Sequence, residues 1–91
     1  MRLRRRQVYA IRDALHQAEF LIPRQDRSQI AEYERDLVAT ACVALWECDV
    51  ARVLSCLRRL TKAHVDRRAA WMNVLNLALD TFQSKNEPLA A

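Results

Sequence analysis

Cysteine and histidine offer this chain its widest choice of chemistry, and their spacing narrows it. Cys48, Cys56 and His64 recur at eight-residue intervals. A zinc site needs its ligands to converge, which pairs such as C-x-x-C or H-x-x-x-H achieve on neighbouring turns. Eight residues rotate a helical face by about 80°, so these side chains do not line up on one helix. No metal and no cofactor is expected. Cys42, Cys48 and Cys56 read instead as small, mostly buried hydrophobes. Their odd number and helical setting suit reduced thiols in an intracellular, cytoplasmic protein better than a disulfide framework.

His64 reads as the end of a third helix, where a protonated ring would interact favourably with the helix dipole. In histidine phosphotransfer domains Lys and Gly follow the phosphoacceptor shortly. Here Val65, Asp66 and Arg67 follow, so that chemistry is not indicated. His16 falls on the polar side of a first helix. Ser28, Ser55 and Ser84 have no recognisable acid–base partner. The chain contains no Gly at all, which removes the usual phosphate-cradling loops and the sharp turns that expose a nucleophile. The expectation is a protein that is not an enzyme and has no evident small-molecule substrate.

Arginine is the remaining chemical resource. Residues 1–12 hold five Arg and no acid; Arg2, Arg4, Arg5 and Arg6 could form a basic arm or the first turn of a helix. Residues 26–49 are acidic, with Asp26, Glu32, Glu34, Asp36, Glu47 and Asp49 against Arg27 and Arg35. Residues 50–68 are basic again, through Arg52, Arg58, Arg59, Lys62, Arg67 and Arg68. Such patches suit phosphate or an acidic protein surface. Alternatively, acidic and basic helices neutralise one another inside a bundle. The excess of Arg over Lys and the abundant Ala suit a GC-rich bacterial or phage source.

The elements that carry these residues follow from apolar periodicity. Val8, Ile11, Leu15, Ala18 and Ile22 recur in steps of three and four, predicting a helix over about 3–22 that ends before Pro23. A second helix, about 28–47, carries Ile30, Tyr33, Leu37, Ala41, Ala44, Leu45 and Cys48 on one stripe. A third, about 50–62, is capped by Asp49 and places Val50, Val53, Leu54, Leu57, Leu60 and His64 opposite Arg52, Ser55, Arg58, Arg59 and Lys62. A fourth, about 67–84, turns Trp71, Val74, Leu75, Ala78 and Phe82 inward, with Val65 and Ala70 placed as a hydrophobic staple. The third and fourth could also form one rod, since neither Gly nor Pro separates them. The whole is an all-α single domain over 1–91, a small bundle of about four helices or a three-helix core with a mobile first helix. Residues 85–91 form a frayed tail, whose Leu89-Ala90-Ala91 resembles the end of the tag that bacteria append to stalled products.

Two export routes are not supported. Asp13, His16 and Glu19 interrupt the segment where the apolar core of a signal peptide would lie. The longest apolar stretch, Leu37 to Trp46, is roughly half a bilayer span, and Asp13 and Glu19 oppose binding of the first helix to anionic lipid. No membrane association is expected.

What stands out is apolar surface in excess. Trp46 falls opposite Leu37 on a helical wheel, so Trp46, Cys42, Val43 and Ala39 make a second apolar face on the second helix. Met72, Leu75 and Leu79 make an apolar shoulder on the fourth. A domain this small rarely leaves such faces in water unused. These residues predict a protein-interaction module that binds and regulates or inhibits a larger macromolecule, with a homodimer as one form. The alternative is a basic nucleic-acid-binding regulatory protein using Arg2, Arg4, Arg5, Arg6, Arg52, Arg58, Arg59 and Lys62.

Overall fold

The computed structural model describes residues 2–83. They form α1 (Arg5–Glu19), α2 (Gln29–Trp46), α3 (Val50–Leu60) and α4 (Arg68–Gln83), with a short 3₁₀ turn, Val65–Arg67, leading into α4. The described residues contain no strand. Consecutive helices pack on one another and α1 closes the ring by packing on α4, so α1 and α3 occupy opposite corners. The first helix is therefore part of the core rather than a mobile addition. The expected frayed tail, 85–91, lies outside the described residues.

The apolar stripe of α1 is buried as its spacing requires: Val8, Ile11, Leu15 and Ala18 all enter the core. The helix ends three residues earlier than its periodicity suggests. Leu21 and Ile22 donate to the carbonyls of Ala18 and Glu19, tightening the chain ahead of Pro23 while Ile22 stays buried. Ser28 then caps α2, its hydroxyl accepting from the Ala31 N–H at 3.2 Å. Asp26 steadies that cap by accepting from the Ser28 N–H at 2.9 Å. This bond holds the Asp26 carboxyl below its ordinary pKa.

Between α2 and α3 the chain reverses in three residues. Cys48 adopts φ 57°, the left-handed conformation that usually falls to Gly after a helix. Its N–H donates to the Leu45 carbonyl at 3.0 Å, and the Asp49 N–H reaches the Ala44 carbonyl at 2.8 Å. Those two bonds are the Schellman pattern. Cys48 thus lies beyond α2 rather than on its inward stripe. Asp49 then caps α3, its side chain accepting from the Arg52 N–H at 3.2 Å.

α3 stops at Leu60, and residues 61–64 separate it from the 3₁₀ turn, so the two last helices are not one rod. His64 corrects the expectation of a helix C-terminus. It precedes the turn, and its Nδ1 accepts from the Asp66 N–H at 3.1 Å. Val65 is exposed, so no staple forms there.

The main correction concerns α2. Its inward stripe is Ala31, Glu34, Leu37, Val38, Ala41, Ala44 and Leu45, while Ile30 and Tyr33 face solvent. Glu34 is fully buried. Its carboxylate accepts the single Arg67 Nε–H shared between both oxygens at 3.0 Å, a further bond from Arg67 Nη2, and one from the Trp71 indole N–H at 2.9 Å. Those bonds keep the Arg67 guanidinium charged, raising its pKa further. Arg67 is buried too, which removes it from the surface residues that could enter a nucleic-acid groove. No buried side-chain nitrogen or oxygen among the described residues lacks a partner.

No helix among the described residues is long and apolar enough to cross a membrane.

Candidate interaction surface on the seam of α1 and α2

Three contacts run along the seam between α1 and α2. At one end Tyr9 and Trp46 meet edge to face, with ring centroids 5.6 Å apart and planes at 72°. In the middle, Cys42 Sγ lies 3.9 Å from His16 Nε2. At the other end Arg35 reaches across to the chain leaving α1, donating to the Pro23 carbonyl at 2.9 Å and the Asp26 carbonyl at 2.7 Å. Residue numbers rise along α1 as they fall along α2, so the two helices are antiparallel. Helical spacing explains the alignment. Tyr9, Asp13 and His16 on α1 and Phe20 at its C-cap recur at intervals of three and four, as do Arg35, Ala39, Cys42 and Trp46 on α2.

The aromatic end is open. Trp46 keeps 54% of its surface exposed and the neighbouring Val43 55%. Tyr9 is exposed too, with the Arg12 guanidinium 4.8 Å from the centre of its ring. Trp46 therefore leans on the edge of α1 without being covered by it. Ala39 is also exposed, and Cys42 is half-buried. Burial pushes the Cys42 thiol pKa up, as it does for Cys56. Both are poor thiolate nucleophiles at neutral pH, consistent with packing roles.

The far end is a groove of about 450 Å³ lined by Glu19, Phe20, Ile22, Pro23, Arg24, Arg27 and Arg35. Phe20 stands on its rim with 78% of its surface exposed, and Leu21 beside it is also exposed. Sequence periodicity did not single out this pair. The available signal was two large apolar residues placed just before a proline, on a turn that no longer follows the helical stripe. The arginines here are largely occupied. Glu32 takes bonds from Arg27 at 3.2 Å and Arg35 at 3.1 Å.

The shoulder expected on α4 is not a comparable face. Leu75 is buried in the core and Leu79 packs partly against it, leaving Met72 exposed. At position 75 the inward stripe and the supposed shoulder overlap, and the core takes the side chain.

Charge neutralises within elements rather than between them. Arg12–Asp13, His16–Glu19, Arg27–Glu32, Arg35–Glu32 and Arg52–Asp49 are all local pairs. Among the described residues only Glu34–Arg67 joins distant parts of the chain. Arg2, Arg4, Arg5 and Arg6 are exposed, and no acid occupies the first turn of α1. Arg5 and Arg6 therefore sit at the positive end of a helix dipole, where cations are unfavourable. On α3 and just past its end, Arg52, Arg58, Arg59 and Lys62 are all exposed. The last three have no acidic side chain within ion-pairing distance among the described residues.

No group of three or more His, Cys, Asp or Glu among the described residues could hold a metal ion. Compared with family models, curated proteins and solved structures, the chain has no significant match to any of them.

Proposed function

We propose that this protein is a helical interaction module that binds and regulates a larger macromolecule, with the α1/α2 seam as its protein-binding face. The observation that carries the reading is the exposed aromatic pair Tyr9–Trp46 with Val43 beside it. A Trp left half in water at a helix–helix seam retains apolar area whose burial would contribute about 2–3 kcal/mol. Trp, Tyr and Arg are also the side chains that most often dominate interface energetics. The partner is a protein, or a second copy of this chain.

Light scattering on the purified protein, followed by capture from the native host with and without nuclease, tests this. The expected result is a dimer, or a nuclease-resistant protein partner, that Trp46→Ala loses while its helical circular dichroism is unchanged. A monomer with no partner dependent on Trp46 would refute it.

A second reading, nucleic-acid binding, is supported by Arg58, Arg59 and Lys62 and by Arg2, Arg4, Arg5 and Arg6, none of which has an ion pair among the described residues. Nuclease-sensitive recovery is its signature in the same capture experiment.

A further inference from the structure

We infer that the outer face of α3 is a phosphate-binding surface for a nucleic-acid strand, built from Ser55, Arg58, Arg59 and Lys62. The inference rests on the second reading above and assigns it a site. These four residues line one shallow groove of about 240 Å³. Their spacing places Ser55, Arg58 and Arg59 on one helical face, which Lys62 extends from the turn just past the helix end. That face is about 10 Å long, the axial rise of about three nucleotides of a strand at 3.4 Å each. It offers three cationic side chains and one hydroxyl, the donor set that phosphate oxygens take.

Of two ordinary explanations for the charge, the helix dipole covers part and internal neutralisation none of it in the groove. Arg58 and Arg59 lie in the last turn of α3, where cations favour the helix dipole. Lys62 follows just past the same negative end, so the dipole accommodates all three cations; it does not account for Arg52 in the first turn, where a cation is disfavoured. Internal neutralisation does not reach those three cations. Arg52 has Asp49 at 3.7 Å, but no acid pairs with Arg58, Arg59 or Lys62 among the described residues. Among the described residues the positive face has no acidic partner.

The site is separate from the seam, since α1 and α3 occupy opposite corners of the bundle. A protein held at Trp46 and a strand held at Arg58 would not compete for surface. That arrangement makes the module an adaptor between the two.

The test is fluorescence anisotropy of the intact protein with a short mixed-sequence oligonucleotide, single-stranded and duplex, across a salt series. Three phosphate contacts give a log–log salt slope of about −2 for a single strand and about −2.7 for a duplex, or about 20- to 40-fold weaker binding between 50 and 200 mM salt. The variant Arg58→Gln/Arg59→Gln/Lys62→Gln should lose most of that slope with its helical spectrum intact, while Trp46→Ala should keep it. A slope that instead collapses when Arg2, Arg4, Arg5 and Arg6 are replaced, and is unmoved by the α3 variant, overturns the α3 site and leaves the second reading standing. Absence of binding to either oligonucleotide at about 50 mM salt overturns both.

Discussion

The Trp71 indole N–H donates to the Glu34 carboxylate at 2.9 Å across the interior of the bundle, 37 positions apart in sequence. Arg67 holds the same carboxylate from one turn earlier, so one acidic side chain of α2 fixes both the 3₁₀ turn and the start of α4. A buried carboxylate is tolerable only when its charge and its lone pairs are met. Here the guanidinium meets the charge and the indole completes the shell. The arrangement sets the rotation of α2, since Glu34 can enter the core only with Arg67 present.

Removing one partner should therefore be severe and removing the pair much less so. Glu34→Leu or Arg67→Met alone should cost about 3–5 kcal/mol, because each leaves an uncompensated buried charge. For a domain whose whole stability is expected to be about 5–15 kcal/mol, that approaches unfolding. Glu34→Leu/Arg67→Met should recover much of the loss, which urea titration with a double-mutant cycle would measure. Additive single and double effects would show that the two side chains are not coupled.

The same pair explains where the sequence was legible and where it was not. On α1 and α3 the division of apolar and polar residues is local and nearly complete. Val8, Ile11, Leu15, Val53, Leu57 and Leu60 are buried where their spacing put them. Trp46 opposite Leu37 on α2 follows from the same wheel: Leu37 is buried and Trp46 is open. The first half of α2 presented two frames. One ran through Ile30 and Tyr33 and was wholly apolar; the other ran through Ala31 and Glu34 and carried a charge. Local hydrophobicity favours the first. The second wins because Arg67 and Trp71, far along the chain, supply partners that no local pattern announces. The seam was legible from its Trp46 end to Cys42 and Ala39, and not beyond. Phe20 and Leu21 lie where the helix gives way to a turn, and helical periodicity says nothing about side chains there.

Cys48 provides a stability test of backbone conformation. A non-glycine residue at φ 57° carries a cost of about 1 kcal/mol or more, larger when the side chain branches at Cβ. The Cys48 Sγ returns part of this by accepting from the Leu3 N–H at 3.5 Å, close to the buried Leu3 side chain. Cys48→Val should destabilise the fold relative to Cys48→Gly by about 2 kcal/mol, with Cys48→Asn near the glycine variant. Denaturant midpoints at unchanged slope would read this order. Equal stability of the valine and glycine variants would mean that the Schellman turn between α2 and α3 relaxes to another conformation.

The start of α1 is built against its own helix, and that defines the last expectation. Arg4 occupies the cap position, yet its side chain has only donors and cannot accept from the helix N–H groups. The one side-chain bond there is the Gln7 carbonyl oxygen accepting from the Arg4 N–H at 2.8 Å. Arg5 and Arg6 follow at the positive end of the dipole. Replacing Arg4 with Ser should gain up to about 1 kcal/mol through a proper cap. Arg5→Glu/Arg6→Glu should add about 0.3–1 kcal/mol for each position at low salt. Together these raise the melting temperature by roughly 4–8 °C per kcal/mol in a domain of this size. The gain from the two glutamates should shrink as salt screens the dipole, whereas the serine cap should be insensitive to it. The same substitutions remove positive charge, so binding to any polyanion or acidic partner should weaken as stability rises. Thermal melts at low and high salt, paired with the anisotropy measurement, separate the two effects. If all three changes lower the melting temperature, the arginines contribute to the fold through contacts beyond the helix end, and a binding role is no longer needed to account for them.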